Sequence, residues 1–189
     1  MGKKRVATEA TRKALLDAFC LIARDKPIEK ITILEITKKA GYNRCTFYQY
    51  FKDVYDLLDY IENIVLSQIK ENFEKNISRD DFIRTFFNAF TRIQQERGEY
   101  FNLLLSPANH SHFTEKLMTN VMPIFMKQFR LSEKNPKAEY LASIYFATVV
   151  TAISRWIYND RNLSLKEFSE MLGNVLLQGV LTEIKFYEK

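Results

Sequence analysis

The chain has 189 residues, enough to bury a substantial core, and its 47% hydrophobic and 27% charged content is that of a globular protein rather than a disordered one. Five glycines and four prolines leave too few turns for a strand-rich sandwich or barrel and favour long helices. The net charge of +5 is unevenly placed, with +6 in residues 1–53 and −1 in the remainder. This suggests a module that faces a polyanion joined to a neutral one, a solvated basic face being the plainer alternative.

Helical spacing recurs almost throughout, so the chain reads as all-α, with about nine helices and no convincing strand. Thr8 caps a first helix with Leu15, Leu16, Phe19 and Ile22 on its apolar side, and Pro27 ends it. Before it, Lys3-Lys4-Arg5 reads as a solvated tail or as an arm for a minor groove. Thr32-Ile-Leu-Glu35 is a capping box opening a helix whose inward face is Ile33, Ile36, Thr37 and Ala40. Gly41 stops that helix, because glycine accepts a left-handed backbone. Asn43 caps a short helix from about Arg44 to Phe51. Asp53 and Asp56 then open a much longer one, striped by Val54, Leu57, Leu58, Ile61, Ile64, Val65 and Ile69.

Further on, Asp80 caps a helix carrying Phe82, Ile83, Phe86, Phe87, Phe90 and Ile93. Gly98 separates it from a short helix at Tyr100–Leu105, which Pro107 closes. Ser111 precedes another, which Pro123 should kink or break. Asn135-Pro136 puts a cap before a proline at the first position of an apolar helix reaching about Tyr158. Ser164-Leu-Lys-Glu167, a second capping box, opens a last helix reaching about Phe186.

A capped helix, a glycine turn and a second short helix at Thr32–Phe51 make a helix-turn-helix, in a helical protein otherwise a plain hairpin. A major groove about 12 Å wide admits one helix, whose N-terminal side chains meet base edges. Here those are Asn43, Arg44, Cys45 and Thr46. Tyr48, Gln49, Tyr50 and Lys52 follow and can reach phosphates or sugars, contacts that position a protein without specifying sequence. On this reading residues 1–53 form a DNA-binding domain and 54–189 a regulatory and dimerisation domain.

The run Ile36-Thr-Lys-Lys-Ala-Gly-Tyr-Asn-Arg-Cys-Thr-Phe-Tyr-Gln-Tyr-Phe-Lys-Asp53, with Leu57-Leu58 after it, resembles the signature of the TetR/AcrR family of bacterial regulators. Gly41, Thr46, Phe47, Tyr48, Phe51, Leu57 and Leu58 match, and the likeness covers roughly residues 8–60. It implies a homodimer on a palindromic double-stranded operator. It also implies a C-terminal domain with a ligand pocket and a dimer interface made by the last two helices. Thr46, Tyr48 and Tyr50 match DNA-contact positions, and Thr32 and Ile33 sit where members touch the DNA backbone. Two positions depart from the pattern. Val54 stands where many members have a phosphate-binding Lys, Lys52 being the substitute at hand, and Cys45 stands where a small residue is usual.

In the second half, Phe86, Phe90, Tyr100, Met118, Met122, Phe125 and Tyr145 suit a pocket for an apolar or aromatic effector, and equally a packed core. For the dimer interface the candidates are Tyr145, Val149, Ala152, Ile153 and Trp156 on one helix and Leu172, Val175, Leu176, Gly179 and Val180 on the next, the alternative again being internal core. The expected function is a transcriptional regulator, either a repressor answering a small effector or a regulator, such as an activator, controlled by a protein partner.

Other chemistries find little footing. His110-Ser-His112 has no partner ligands at metal spacing, and there is no phosphate loop, nucleophile elbow or catalytic dyad, so no metal, cofactor or enzymatic activity is expected. No apolar run approaches the roughly 18 residues of a membrane span. No long apolar stretch follows Met1-Gly2-Lys3-Lys4-Arg5, so it does not read as a secretory signal, and the basic residues after Gly2 suit myristoylation poorly. Cys20 and Cys45 read as reduced thiols, which fits a cytoplasmic protein.

Overall fold

A computed structural model describes residues 2–73, 79–132, 135–159 and 162–179; of 2–7, 73, 79–87 and 177 it describes the backbone alone. These residues form eight α-helices and no strand: α1 (Gly2–Ala23), α2 (Ile33–Ala40), α3 (Arg44–Tyr48), α4 (Val54–Phe73), α5 (Arg79–Leu104), α6 (His110–Gln128), α7 (Pro136–Tyr158) and α8 (Leu165–Gln178). A single 3-10 turn, Ile28–Lys30, lies between α1 and α2. The chain divides into two compact units, 1–64 and 65–189, so the division falls inside α4.

The first unit is built on the expected stripes. Leu15, Leu16 and Phe19 of α1, Ile36 of α2, Phe47 of α3 and Leu57 and Ile61 of α4 are all buried. Burial of these side chains outweighs the poor intrinsic stability of an eight-residue and a five-residue helix, neither of which persists alone in water. Two boundaries differ from expectation. Helix α1 begins at Gly2, so Thr8 lies within it rather than capping it, and Lys3-Lys4-Arg5 occupies its start rather than a tail. Helix α3 ends at Tyr48, and Tyr50 and Phe51 turn back with their N–H groups on the Phe47 carbonyl, at 2.9 and 3.0 Å.

In the second unit α6 packs on α7 and α7 on α8. The predicted break at Gly98 is a kink instead. Helix α5 runs on through a non-helical Arg97 (φ −140°, ψ 30°), and buried residues flank it on both sides, Phe90 and Ile93 before and Tyr100, Phe101 and Leu104 after. Gln94 Nε2 donates to Asn102 Oδ1 across the kink at 3.3 Å. Glycine ends a helix most readily where it takes a positive φ, and among the described glycines only Gly41 does. Pro123 does not break α6 either, because it lies on the exposed face, where solvent can take the freed carbonyl of Thr119. The caps at Asn135 and Ser164 form as expected, with Lys137 N–H on Asn135 Oδ1 at 3.1 Å and Glu167 N–H on Ser164 Oγ at 3.2 Å. Helix α5 begins at Arg79, so Asp80 lies within it rather than capping it, while the side chains of Phe82, Ile83 and Phe87 and the last turns toward Phe186 lie outside the described residues.

Helix α7 ties its neighbours together. Ser154 Oγ donates to the Leu105 carbonyl at 2.5 Å, Tyr158 OH to the Asn102 carbonyl at 2.8 Å, and Trp156 Nε1 to the Leu163 carbonyl at 2.9 Å. By length and composition α7 is the one helix among the described residues apolar enough to cross a membrane, with a mean hydropathy of 1.3, which the reading of the sequence did not anticipate. Nine of its residues, from Ala138 to Trp156, are buried within the chain, as in the core helix of a folded domain.

Candidate nucleic-acid interface

The site is assembled from local signals. Thr32 and Glu35 form the reciprocal box: Thr32 N–H donates to Glu35 Oε2 at 2.9 Å, and Glu35 N–H to Thr32 Oγ1 at 3.3 Å. Lys26 Nζ reaches Glu35 Oε1 at 2.6 Å, so the carboxylate ties the start of α2 to the chain just after α1. The Lys26 hydrogen bond, helped by the Thr32 side chain and backbone, holds the Glu35 pKa down, from 4.5 to about 2. A depressed carboxylate adds stability that is fully present above its unfolded pKa and is lost as pH falls through the folded value. Between about pH 4.5 and 2, therefore, the first unit should lose thermal stability faster in the wild type than in Glu35→Gln. Melting curves over that interval check this; parallel curves would refute it.

Gly41 turns the chain at φ 76°, ψ 26°, and the Tyr42 N–H returns to the Thr37 carbonyl at 2.9 Å. Asn43 then caps α3, its Oδ1 accepting from Thr46 N–H at 2.9 Å and Thr46 Oγ1 at 3.2 Å. Asn43 and Thr46 thus hold each other. Arg44, Cys45, Tyr48 (58% exposed) and Gln49 stand outward, Thr46 and Tyr50 are half-buried, and Phe47 is fully buried beneath them. Thr32 is exposed and Ile33 half-buried at the start of α2. Lys52 is exposed, its backbone N–H held by Asp56 Oδ2 at 2.8 Å, whereas Val54 is buried and faces away from solvent. The ten expected contact residues therefore lie within residues 32–52, most of them outward. Tyr42 and Tyr55 are also exposed, and Thr11 Oγ1 donates to Tyr42 OH at 3.3 Å. Neither tyrosine was expected at this surface; their exposure depends on how the helices pack, and no local motif encodes it.

The effector candidates separate into two ring clusters. Phe125 meets Phe129, Tyr145 and Phe146 with ring centroids 4.6, 5.3 and 5.4 Å apart. Phe90 instead meets Phe101 at 5.4 Å and Trp156 at 6.0 Å, and Trp156 stacks on Phe168 at 5.1 Å. Tyr100 is buried, Met118 and Met122 are half-buried on α6, and the Phe86 side chain lies outside the described residues. Burial raises the Tyr145 pKa well above the ordinary phenol range, so this group stays protonated.

The interface candidates need correction as a surface. Tyr145, Val149, Ile153, Trp156, Leu172 and Leu176 are buried inside a single chain, so they are internal core. Of the rest, Ala152 is half-buried, Val175 and Gly179 are exposed, and Val180 lies outside the described residues. The outward faces carry other residues: Tyr140, Ile144, Ala147 and Thr151 on α7, and Met171 beside Val175 on α8. No three His, Cys, Asp or Glu side chains converge as metal ligands among the described residues. His110 Nδ1 lies 3.1 Å from the Pro107 carbonyl, which makes it part of the turn into α6.

A TetR-type family model described as "Transcriptional regulator C-terminal region" matches residues 84–178, about half of the chain. The fold is similar to that of a TetR transcriptional regulator from Streptococcus agalactiae 2603V, at 17% identity and a TM-score of 0.62 over 96% of this chain and 97% of that one. It is also similar to the fatty acid degradation regulator FadR from Bacillus halodurans (13% identity, TM-score 0.66, 89% and 95% covered). A third similar structure is the dihydroxyacetone kinase operon activator DhaS (20% identity, TM-score 0.56, 95% and 98% covered). All are transcriptional regulators rather than enzymes. With the helix-turn-helix at one end of the chain and this match across the other, the chain belongs to the TetR family of transcriptional regulators.

Proposed function

We propose that the protein is a sequence-specific DNA-binding repressor that acts in the cytoplasm as a homodimer and releases its operator on binding a small apolar or aromatic molecule. The observation that carries the DNA reading is the outward row Arg44, Cys45, Tyr48 and Gln49 on a helix held rigid by Asn43 and Phe47. Two recognition helices must reach major grooves about 34–36 Å apart, which requires a pair of chains. The outward apolar faces of α7 and α8 supply a surface for that pairing.

The effector reading is supported by the two aromatic clusters and by FadR, a regulator of fatty acid degradation. Two observations favour the second reading, an activator answering to a protein partner. The rings pack directly on one another, and the similar DhaS is an operon activator.

Enrichment of bound sequences from a random duplex pool, followed by titration across salt concentrations, tests the DNA reading. Arg44→Ala should flatten the preference for enriched over scrambled sequence by roughly 1–3 kcal/mol. Lys52→Ala should weaken binding to all sequences alike and reduce the salt slope by about one. A uniform loss from Arg44→Ala would remove its base-reading role, and failure to enrich any sequence would sink the proposal.

A further inference from the structure

The Arg12 guanidinium of α1 lies between two tyrosine rings, 5.6 Å from the centroid of Tyr50 and 5.3 Å from that of Tyr60. Both distances fall within cation–π range. Glu9 Oε1 accepts from Nη1 at 2.8 Å, and only 26% of the Arg12 side chain is exposed. Tyr60 in turn meets Phe51 at 5.7 Å, and Phe51 meets Phe47 at 5.7 Å beneath the recognition helix. A helix of five residues has almost no stability of its own, so its placement is set by what holds its ends. Asn43 fixes the first end. The second leads into the turn at Gln49–Tyr50, and there the guanidinium packs against the Tyr50 ring.

We propose that Arg12 is a positioning residue for DNA binding, its planar cation clamping the Tyr50 turn to Tyr60 of α4 and so fixing the recognition helix without itself contacting DNA. The inference rests on the reading of α3 as the recognition helix. A planar guanidinium suits a place between two rings, whereas an ammonium is a compact, strongly hydrated point charge. Lysine should therefore replace Arg12 poorly in a clamp and well in a phosphate contact.

The probe is the duplex enriched by the wild-type protein, titrated by fluorescence anisotropy over a range of salt, with a melting curve for each variant. Arg12→Gln should weaken binding about tenfold, the size of a lost cation–π contact, with the salt slope unchanged. Arg12→Lys should recover only part of the loss. Tyr60→Leu, which keeps the charge and removes one wall, should weaken binding by a comparable factor, and Glu9→Gln should leave it nearly unchanged. The clamp is overturned if Arg12→Gln binds like wild type, or if the slope drops by about one and Arg12→Lys restores binding, since Arg12 would then be a phosphate contact. Should Arg12→Gln not fold, wild-type affinity in Tyr60→Leu overturns it alone. A wild type that binds no duplex removes the reading of α3 and this inference together, whereas a wild type that binds while both clamp variants match it removes only the inference.

Discussion

Replacing Ile144 and Val175 together with aspartate will convert the protein to monomers and cut operator affinity by about 10²- to 10⁴-fold, the range gained when two linked modules bind together. Ile144 is 51% exposed and Val175 58%, on the outward faces of α7 and α8. Tyr140, at 72%, lies one turn before Ile144 on the same side, and Met171 one turn before Val175. Aspartate at such positions costs the single chain little, because each side chain already meets water. Buried in a paired interface, the same carboxylates would be desolvated without partners. Sedimentation gives the mass, and titration of the enriched duplex gives the affinity. A dimer that survives both substitutions would show that pairing uses another face. Tyr145→Asp makes a useful contrast, since it places a charge in the internal core and should unfold the second unit rather than separate intact chains.

Phe47→Ala should destabilise the first unit by about 3–5 kcal/mol and abolish DNA binding while leaving the dimer intact. Phe47 is fully buried, meets Phe51 at 5.7 Å and Tyr48 edge-on at 5.8 Å, and is the only buried residue of α3. Its removal opens a cavity in a unit of about 64 residues, where one large side chain is a substantial part of the margin. Calorimetry should show an early transition from the N-terminal unit and a nearly unshifted later one, with sedimentation still reporting two chains. A single shifted transition would mean that the units melt as one.

The helix-turn-helix was legible because its signals are chemical and local. Thr32 with Glu35, Gly41, and Asn43 with Thr46 each act within four residues, and each forms in the fold as the sequence suggests. Gly98 and Pro123 misled for a related reason. Each names a local propensity, but the outcome depends on surroundings, the buried residues on either side of one and the solvent beside the other. The dimer face was illegible in a different way. Helix α7 is apolar on most sides, and nothing in the string separates Ile144, which faces out, from Tyr145, which is wholly buried. The Arg12 contacts join residues 38 and 48 positions apart, beyond any periodic pattern.

The outward positions of α3 and its C-cap carry little of the packing beyond the edge-on contact of Tyr48 with Phe47. Arg44, Cys45, Tyr48 and Gln49 project from a scaffold kept in place by Asn43, Phe47 and the turn that follows. Exchanges there should leave the folding margin almost untouched while, on the proposed reading, changing which bases are read. If α3 reads DNA as proposed, a duplicated copy could drift to a new operator by a few surface changes, without first acquiring compensating mutations in its interior.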